Sequence, residues 1–156
     1  MTPLTLFARA LLACSVHEHQ EGHVRRIEVW ATPGSFTLQD NGRGMGLDRD
    51  AYVAELMGVV VVRSAVVQLH GVGLSLMAAS TPRLAIESRR GDDVWTHTFC
   101  WGVADAPPLR KPAGAQRATR ITLATAPGAA DADRAELLMQ IELWRQSHPQ
   151  LTITLH

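Results

Sequence analysis

Two short glycine motifs constrain the fold of this chain most strongly, because each must be a loop at the end of a regular element. Residues 40–45 read DNGRGM and follow a predicted strand, whereas residues 69–75 read LHGVGLS and open a predicted helix. Glycine has no Cβ, so the backbone approaches a flat ligand closely. Backbone N–H groups at a helix start attract an anion. Both motifs therefore have the chemistry of a ligand-binding loop.

Apolar spacing between and around these motifs predicts alternating helices and strands. Residues 4–19 carry Leu4, Phe7, Leu11 and Leu12 at helical spacing, with Gly22 as a stop. The further predicted helices are residues 48–57, 74–80 and 131–147, the last with Leu137, Leu138, Ile141 and Trp144 on one face. The predicted strands are residues 24–31, 36–40, 84–89, 94–101, 119–125 and 151–155, and residues 104–117 are predicted to be a surface loop.

This succession predicts an α+β fold over residues 1–156 as a single domain. Six or so strands with three or four helices favour a two-layer α/β sandwich. Residues 59–62 are four consecutive valines that favour a strand beside helical neighbours, so their structure stays undecided.

Charge and cysteine content exclude several classes of protein. Lys plus Arg and Asp plus Glu are fifteen each, so we expect no direct DNA binding, which needs a basic excess. Two cysteines are too few for a disulfide framework and favour a reducing, cytoplasmic location. The sequence has no apolar run of the roughly 18 residues that a membrane-spanning helix requires.

The two motifs in this order resemble the nucleotide-binding motifs of the GHKL superfamily of ATPases. The flanks resemble the gyrase B, topoisomerase and MutL arrangement, in residues 18–22, 27–29, 118–122 and 133–155. The resemblance covers nearly the whole chain. It implies a mixed, mostly antiparallel sheet with helices on one face, and ATP or ADP as the cofactor.

The resemblance also implies the site residues. Asp40 would accept a hydrogen bond from the adenine amino group, and Thr119 would contact the base from the opposite side. The residues that would bind the nucleotide are Asp40, Gly42, Arg43, Gly44, Met45, His70, Gly71, Val72, Gly73 and Thr119. Alternative interpretations are that Asp40 only caps a turn, that His70 packs or caps, and that Arg43 braces its loop by a salt bridge.

The catalytic side chains of the superfamily are missing. The positions of the general base and of the Mg²⁺-binding asparagine hold Ala10 and Cys14, while Ser15 and Glu18 keep the register. Alanine takes no proton and a thiol is a poor magnesium ligand, so Mg²⁺ binding is doubtful and no catalytic residue is assigned. Between Glu55 and Leu69 the expected lid is short and rich in valine, and the domain that follows in the family is not expected here.

Three functions remain open from the sequence. The chain is a nucleotide-binding regulatory or structural subunit, a pseudo-ATPase interaction module with a vestigial pocket, or an ATPase that uses Glu18 as an unorthodox base. Its partner would be another copy or a topoisomerase-like chain. His19 and His23 lie four residues apart, but Gly22 interrupts the helix and the spacing does not match a zinc motif, so no metal site is assigned.

Overall fold

A computed structural model describes residues 2–44, 74–106, 109–112 and 118–156. Several predictions lie outside these residues. They concern the helix at 48–57, the valine segment at 59–62, the short lid, and the site residues Met45, His70, Gly71, Val72 and Gly73.

The elements alternate as the sequence predicts. The three described helices are α1 (Pro3–Gln20), α2 (Leu74–Ser80) and α3 (Arg134–Ser147). The described strands are β1 (Arg26–Thr32), β2 (Ser35–Asp40), β3 (Arg83–Arg90), β4 (Asp93–Cys100), β5 (Val103–Ala104), β6 (Leu109–Pro112), β7 (Thr119–Ala124) and β8 (Thr152–Leu155).

The described strands form one mixed sheet of eight strands, with the order β5-β4-β3-β7-β2-β1-β8 and β6 paired with β4. Among the described pairs only β1 and β8 are parallel, and the others are antiparallel. Inward side chains of the central strands share one apolar cluster with buried residues of all three helices, so the helices cover one face. The α+β, two-layer prediction is confirmed.

Helix α1 is fixed at both ends by its own sequence. The Thr2 hydroxyl accepts a hydrogen bond from the Thr5 backbone N–H, and Pro3 occupies the first turn, where no N–H donor is needed. Glu21 caps the other end, and Gly22 follows with φ +85°. The apolar face of α1 is buried against β2 and α3, which places α1 over the carboxyl end of β2.

The prediction that residues 104–117 form only a loop is wrong. Ala104 belongs to β5, and Leu109–Pro112 form β6, an edge strand antiparallel to β4. Every residue of β6 is exposed, so no apolar alternation marks it in the sequence. An ion pair between Arg110 and Asp93 joins the two strands. These two short strands account for the difference between the expected six and the eight described.

Helix α3 also differs in detail from the prediction. It begins at Arg134, because Asp133 accepts the backbone N–H of Glu136 as its N-cap. The side chain of Asp131 instead accepts the backbone N–H of Gly34. Leu137 and Ile141 are fully buried, but Leu138 is 45% exposed and does not share their face.

None of the described helices is long and apolar enough to cross a membrane. Cys14 and Cys100 are not joined in a disulfide bond.

Candidate functional site

The carboxylate of Asp40 is buried at the end of β2 and is held by two donors. The Ser15 hydroxyl of α1 donates to Oδ2 at 2.9 Å, and the Gly42 backbone N–H donates to Oδ1 at 3.0 Å. The residue is only 7% exposed. A carboxylate oxygen accepts two hydrogen bonds, so each oxygen keeps capacity for one further donor.

A row of polar side chains crosses the sheet from Asp40. Thr119 on β7 is the partner of Asp40, and Ser88 on β3 is the partner of Thr119. Directly paired residues point to the same face of a sheet. All three are buried, with exposures of 7%, 6% and 0%, on the face that is otherwise the apolar core. The structure therefore brings the predicted Asp40 and Thr119 together.

Ser88 is a site residue that the sequence interpretation missed. Its strand alternates Leu84 and Ile86 inward, and the serine breaks that apolar alternation at the next inward position. A break of this kind at a strand end is a readable signal for a polar site.

Burial raises the pKa of the Asp40 carboxyl above its ordinary value. The neighbouring charge of Glu18 acts in the same direction, and the hydrogen bonds from Gly42 and Ser15 act against it. Asp40 thus holds its proton more tightly in the folded chain than in the unfolded chain.

This raised pKa predicts how stability depends on pH. Above the ordinary value of 3.8, the unfolded chain releases the Asp40 proton while the folded chain keeps it. The Asp40 contribution to the free energy of unfolding therefore falls as the pH rises, until the folded pKa is passed. Asparagine has no such proton. Urea unfolding across acid to neutral pH should show the stability of Asp40→Asn rising relative to the wild type through this window; a difference that is constant with pH would contradict the assignment.

The glycine loop packs closely on its neighbours. A Cβ on Gly42 would lie 2.6 Å from Cγ2 of Val24, and a Cβ on Gly44, where φ is +80°, would overlap the carbonyl oxygen of Arg89. Gly44 therefore lies against the end of β3, next to Ser88. Both glycines are required by close approach within the protein itself.

Asn41 anchors this loop, a role that the sequence interpretation did not assign. Its side-chain Oδ1 accepts the backbone N–H groups of Arg25 and Arg26 at 3.0 and 2.9 Å. These bonds fix the turn to the start of β1.

Arg43 makes a bidentate ion pair with Glu18 of α1. Its Nε and Nη2 donate to the two carboxylate oxygens at 2.8 and 3.0 Å. The pairing ties the glycine loop to α1, as the bracing alternative predicts. It also engages both oxygens of Glu18.

The helix face beside Asp40 has no acidic side chain at the two unusual positions. Ala10 is fully buried in the apolar cluster, and Cys14 is partly exposed. Within the part of the chain that the structure describes, no three His, Cys, Asp or Glu side chains form a group that could hold a metal ion.

Comparisons with known proteins give matches in sequence and in fold. No model of a known protein family matches the chain. The chain is 34% identical to the B protein of DNA gyrase from Haloferax volcanii over 99 residues, covering 54% of this chain and 16% of the relative, and the values for Haloferax lucentense are the same. Its fold is similar to the 43K ATPase domain of Thermus thermophilus gyrase B in complex with an aminocoumarin. That match has a TM-score of 0.77 and 21% identity, over 97% of this chain and 42% of that one.

Proposed function

This chain is a gyrase-B-like domain of the GHKL type by sequence and fold, and on that premise we propose that it binds ATP or ADP without normal Mg²⁺-dependent hydrolysis. The curated relatives are much longer, since the chain spans 16% of their length. We therefore confine the proposal to the binding of a nucleotide, with residues 1–156 as a single domain.

The observation that carries the proposal is the buried, oriented carboxylate of Asp40. Its two oxygens are held by Ser15 and Gly42, and each can accept one more hydrogen bond. The exocyclic amine of adenine is a donor of matching chemistry. Thr119 lies directly opposite on β7 and supplies a hydroxyl to the same base.

The rest of the proposed site follows the family pattern. Gly42, Gly44 and Met45 would line the ring of the base, with Arg43 bracing their loop. His70, Gly71, Val72 and Gly73 would contact the phosphates.

The described part of α1 supports binding without hydrolysis. Ala10, at the position of the family's general base, has no group that accepts a proton and is buried among apolar side chains. Cys14 offers sulfur where Mg²⁺ prefers oxygen. Glu18, the alternative base, has both oxygens engaged by Arg43. A bound nucleotide would therefore persist, as suits a regulatory or structural subunit.

As such a subunit, the chain would act in the cytoplasm with a second copy or with a topoisomerase-like chain. We propose no direct contact with DNA, because the net formal charge is +0. Light scattering with and without ADP tests the pairing.

The proposal is tested by calorimetric titration of the purified chain with ATP and ADP, with and without Mg²⁺, beside a phosphate-release assay. We expect saturable binding of both nucleotides, little effect of Mg²⁺, and no phosphate release above the buffer rate. An aminocoumarin, the ligand class of the Thermus thermophilus structure, serves as a competitor. Absence of heat and of any thermal shift with both nucleotides would leave the interaction-module alternative instead.

A further inference from the structure

We propose that His19 and His148 form a binding site for a divalent transition-metal ion of the Zn²⁺ type. The two residues are far apart in the sequence, yet the fold brings their imidazole rings to a centroid distance of 5.6 Å with an interplanar angle of 79°. His19 lies in the last turn of α1, and His148 caps the end of α3. The site is separate from the Asp40 row and does not depend on nucleotide binding.

The hydrogen bonds of the two rings fix which nitrogen is free to bind a metal. Nδ1 of His19 lies 2.6 Å from the carbonyl oxygen of Val24, and Nδ1 of His148 lies 3.2 Å from the carbonyl oxygen of Trp144. A carbonyl oxygen only accepts, so Nδ1 carries the proton in both rings. When the rings are neutral, each Nε2 therefore has a lone pair. Metal-binding histidines commonly hold their second nitrogen in this way.

The ring separation fits one shared ion. With a metal–nitrogen bond of about 2.0–2.1 Å, the ion lies about 3.2 Å from each ring centroid. Two rings that share it at an angle near 120° are then about 5.5 Å apart. The observed 5.6 Å agrees with that value.

Gln20 lies at the same place and completes the argument for an accessible site. Its Nε2 is 3.1 Å from Nε2 of His148, and its side chain is exposed. Rotation of this side chain opens the position beside His148 and offers its carbonyl oxygen as a third ligand. The described residues provide no group of three His, Cys, Asp or Glu here, so water would fill the remaining coordination.

The ligand chemistry selects the ion. Neutral imidazole suits Zn²⁺, Ni²⁺ and Cu²⁺, whereas Mg²⁺ requires oxygen ligands. An ion bound to both rings would link the end of α1 to the end of α3. Since α1 also carries Ser15 and Glu18, this link would stabilise the helix that positions Asp40 and Arg43.

The test is a calorimetric titration of tag-free, EDTA-treated chain with Zn²⁺, with Mg²⁺ as the comparison ion. We expect one saturable Zn²⁺ site, a rise in melting temperature with Zn²⁺, and neither effect with Mg²⁺. His19→Asn and His148→Asn should each lower the Zn²⁺ affinity by about tenfold or more. The matched control is His23→Asn, an exposed histidine on the turn beyond α1, which should leave the affinity nearly unchanged.

Electron paramagnetic resonance of bound Cu²⁺ gives a reading that does not depend on the variants folding. We expect hyperfine structure from two imidazole nitrogens. A lack of saturable Zn²⁺ binding, unchanged affinity in a folded His148→Asn variant, or fewer than two nitrogen ligands on Cu²⁺ would overturn the proposal. Normal ATP and ADP binding by the same variants would show that this outcome is independent of the proposed function.

Discussion

Asp40→Asn is expected to lower the affinity of the chain for ADP by about 100-fold or more. A site built to pair a buried polar group rejects a mismatched partner strongly, by up to about 10⁴–10⁵-fold in the best cases. Asparagine turns one acceptor of Asp40 into a donor. An amine donor on adenine would then face an amide donor in a buried position, where an unpaired polar group is costly.

The fold should survive this change, so the loss can be attributed to binding. Asparagine can still accept the Gly42 N–H, and the Ser15 hydroxyl can rotate to accept the new amide N–H. The matched control is Gln39→Ala, one residue earlier on the opposite face of β2, where Gln39 contacts Glu28. Calorimetry with ADP on both variants makes the comparison. An Asp40→Asn variant that binds ADP like the wild type would remove Asp40 from the site.

Gly44→Ala is expected to have the largest effect on stability. Its φ of +80° is a left-handed conformation that costs an L-residue roughly 1–2 kcal/mol. The added Cβ would also overlap the Arg89 carbonyl oxygen, and this strand backbone has little freedom to move. We expect a loss above about 3 kcal/mol, or a fall of roughly 6–12 °C or more in melting temperature for a chain of this size.

Gly128→Ala separates the two causes of that loss. Gly128 has a nearly equal φ of +79°, but nothing lies within 4 Å of the position that its Cβ would occupy. It should therefore lose only the left-handed cost of roughly 1–2 kcal/mol. Thermal and urea unfolding of the two variants measure the difference. Equal losses would show that Gly44 is not closely packed against β3.

The elements that the sequence predicted well are those with strong local signals. Helix α1 has an apolar face, a threonine cap and a following glycine, and the hairpin of β1 and β2 has clear turn residues. Strand β6 escaped prediction because an exposed edge strand has no buried face to impose alternation. The start of α3 depended on which of Asp131 and Asp133 caps it, and that choice is made by the tertiary contact of Asp131 with Gly34.

The candidate site divides in the same way. Asp40 and Thr119 were predicted from motifs, and the sheet register places them opposite each other. Ser88 joins them through pairing across strands distant in sequence, so the motifs alone did not indicate it. The pairing of His19 with His148 also depends on the packing of α1 beside α3, whereas local spacing pointed only to His23.

A direct comparison of ADP with inosine diphosphate tests the adenine site most closely. The two ligands share sugar and phosphates, but inosine has a carbonyl oxygen in place of the exocyclic amine that Asp40 would accept. We expect ADP to bind at least about tenfold more tightly, because the inosine carbonyl would face a buried carboxylate. Equal affinities would contradict base recognition by Asp40 and Thr119.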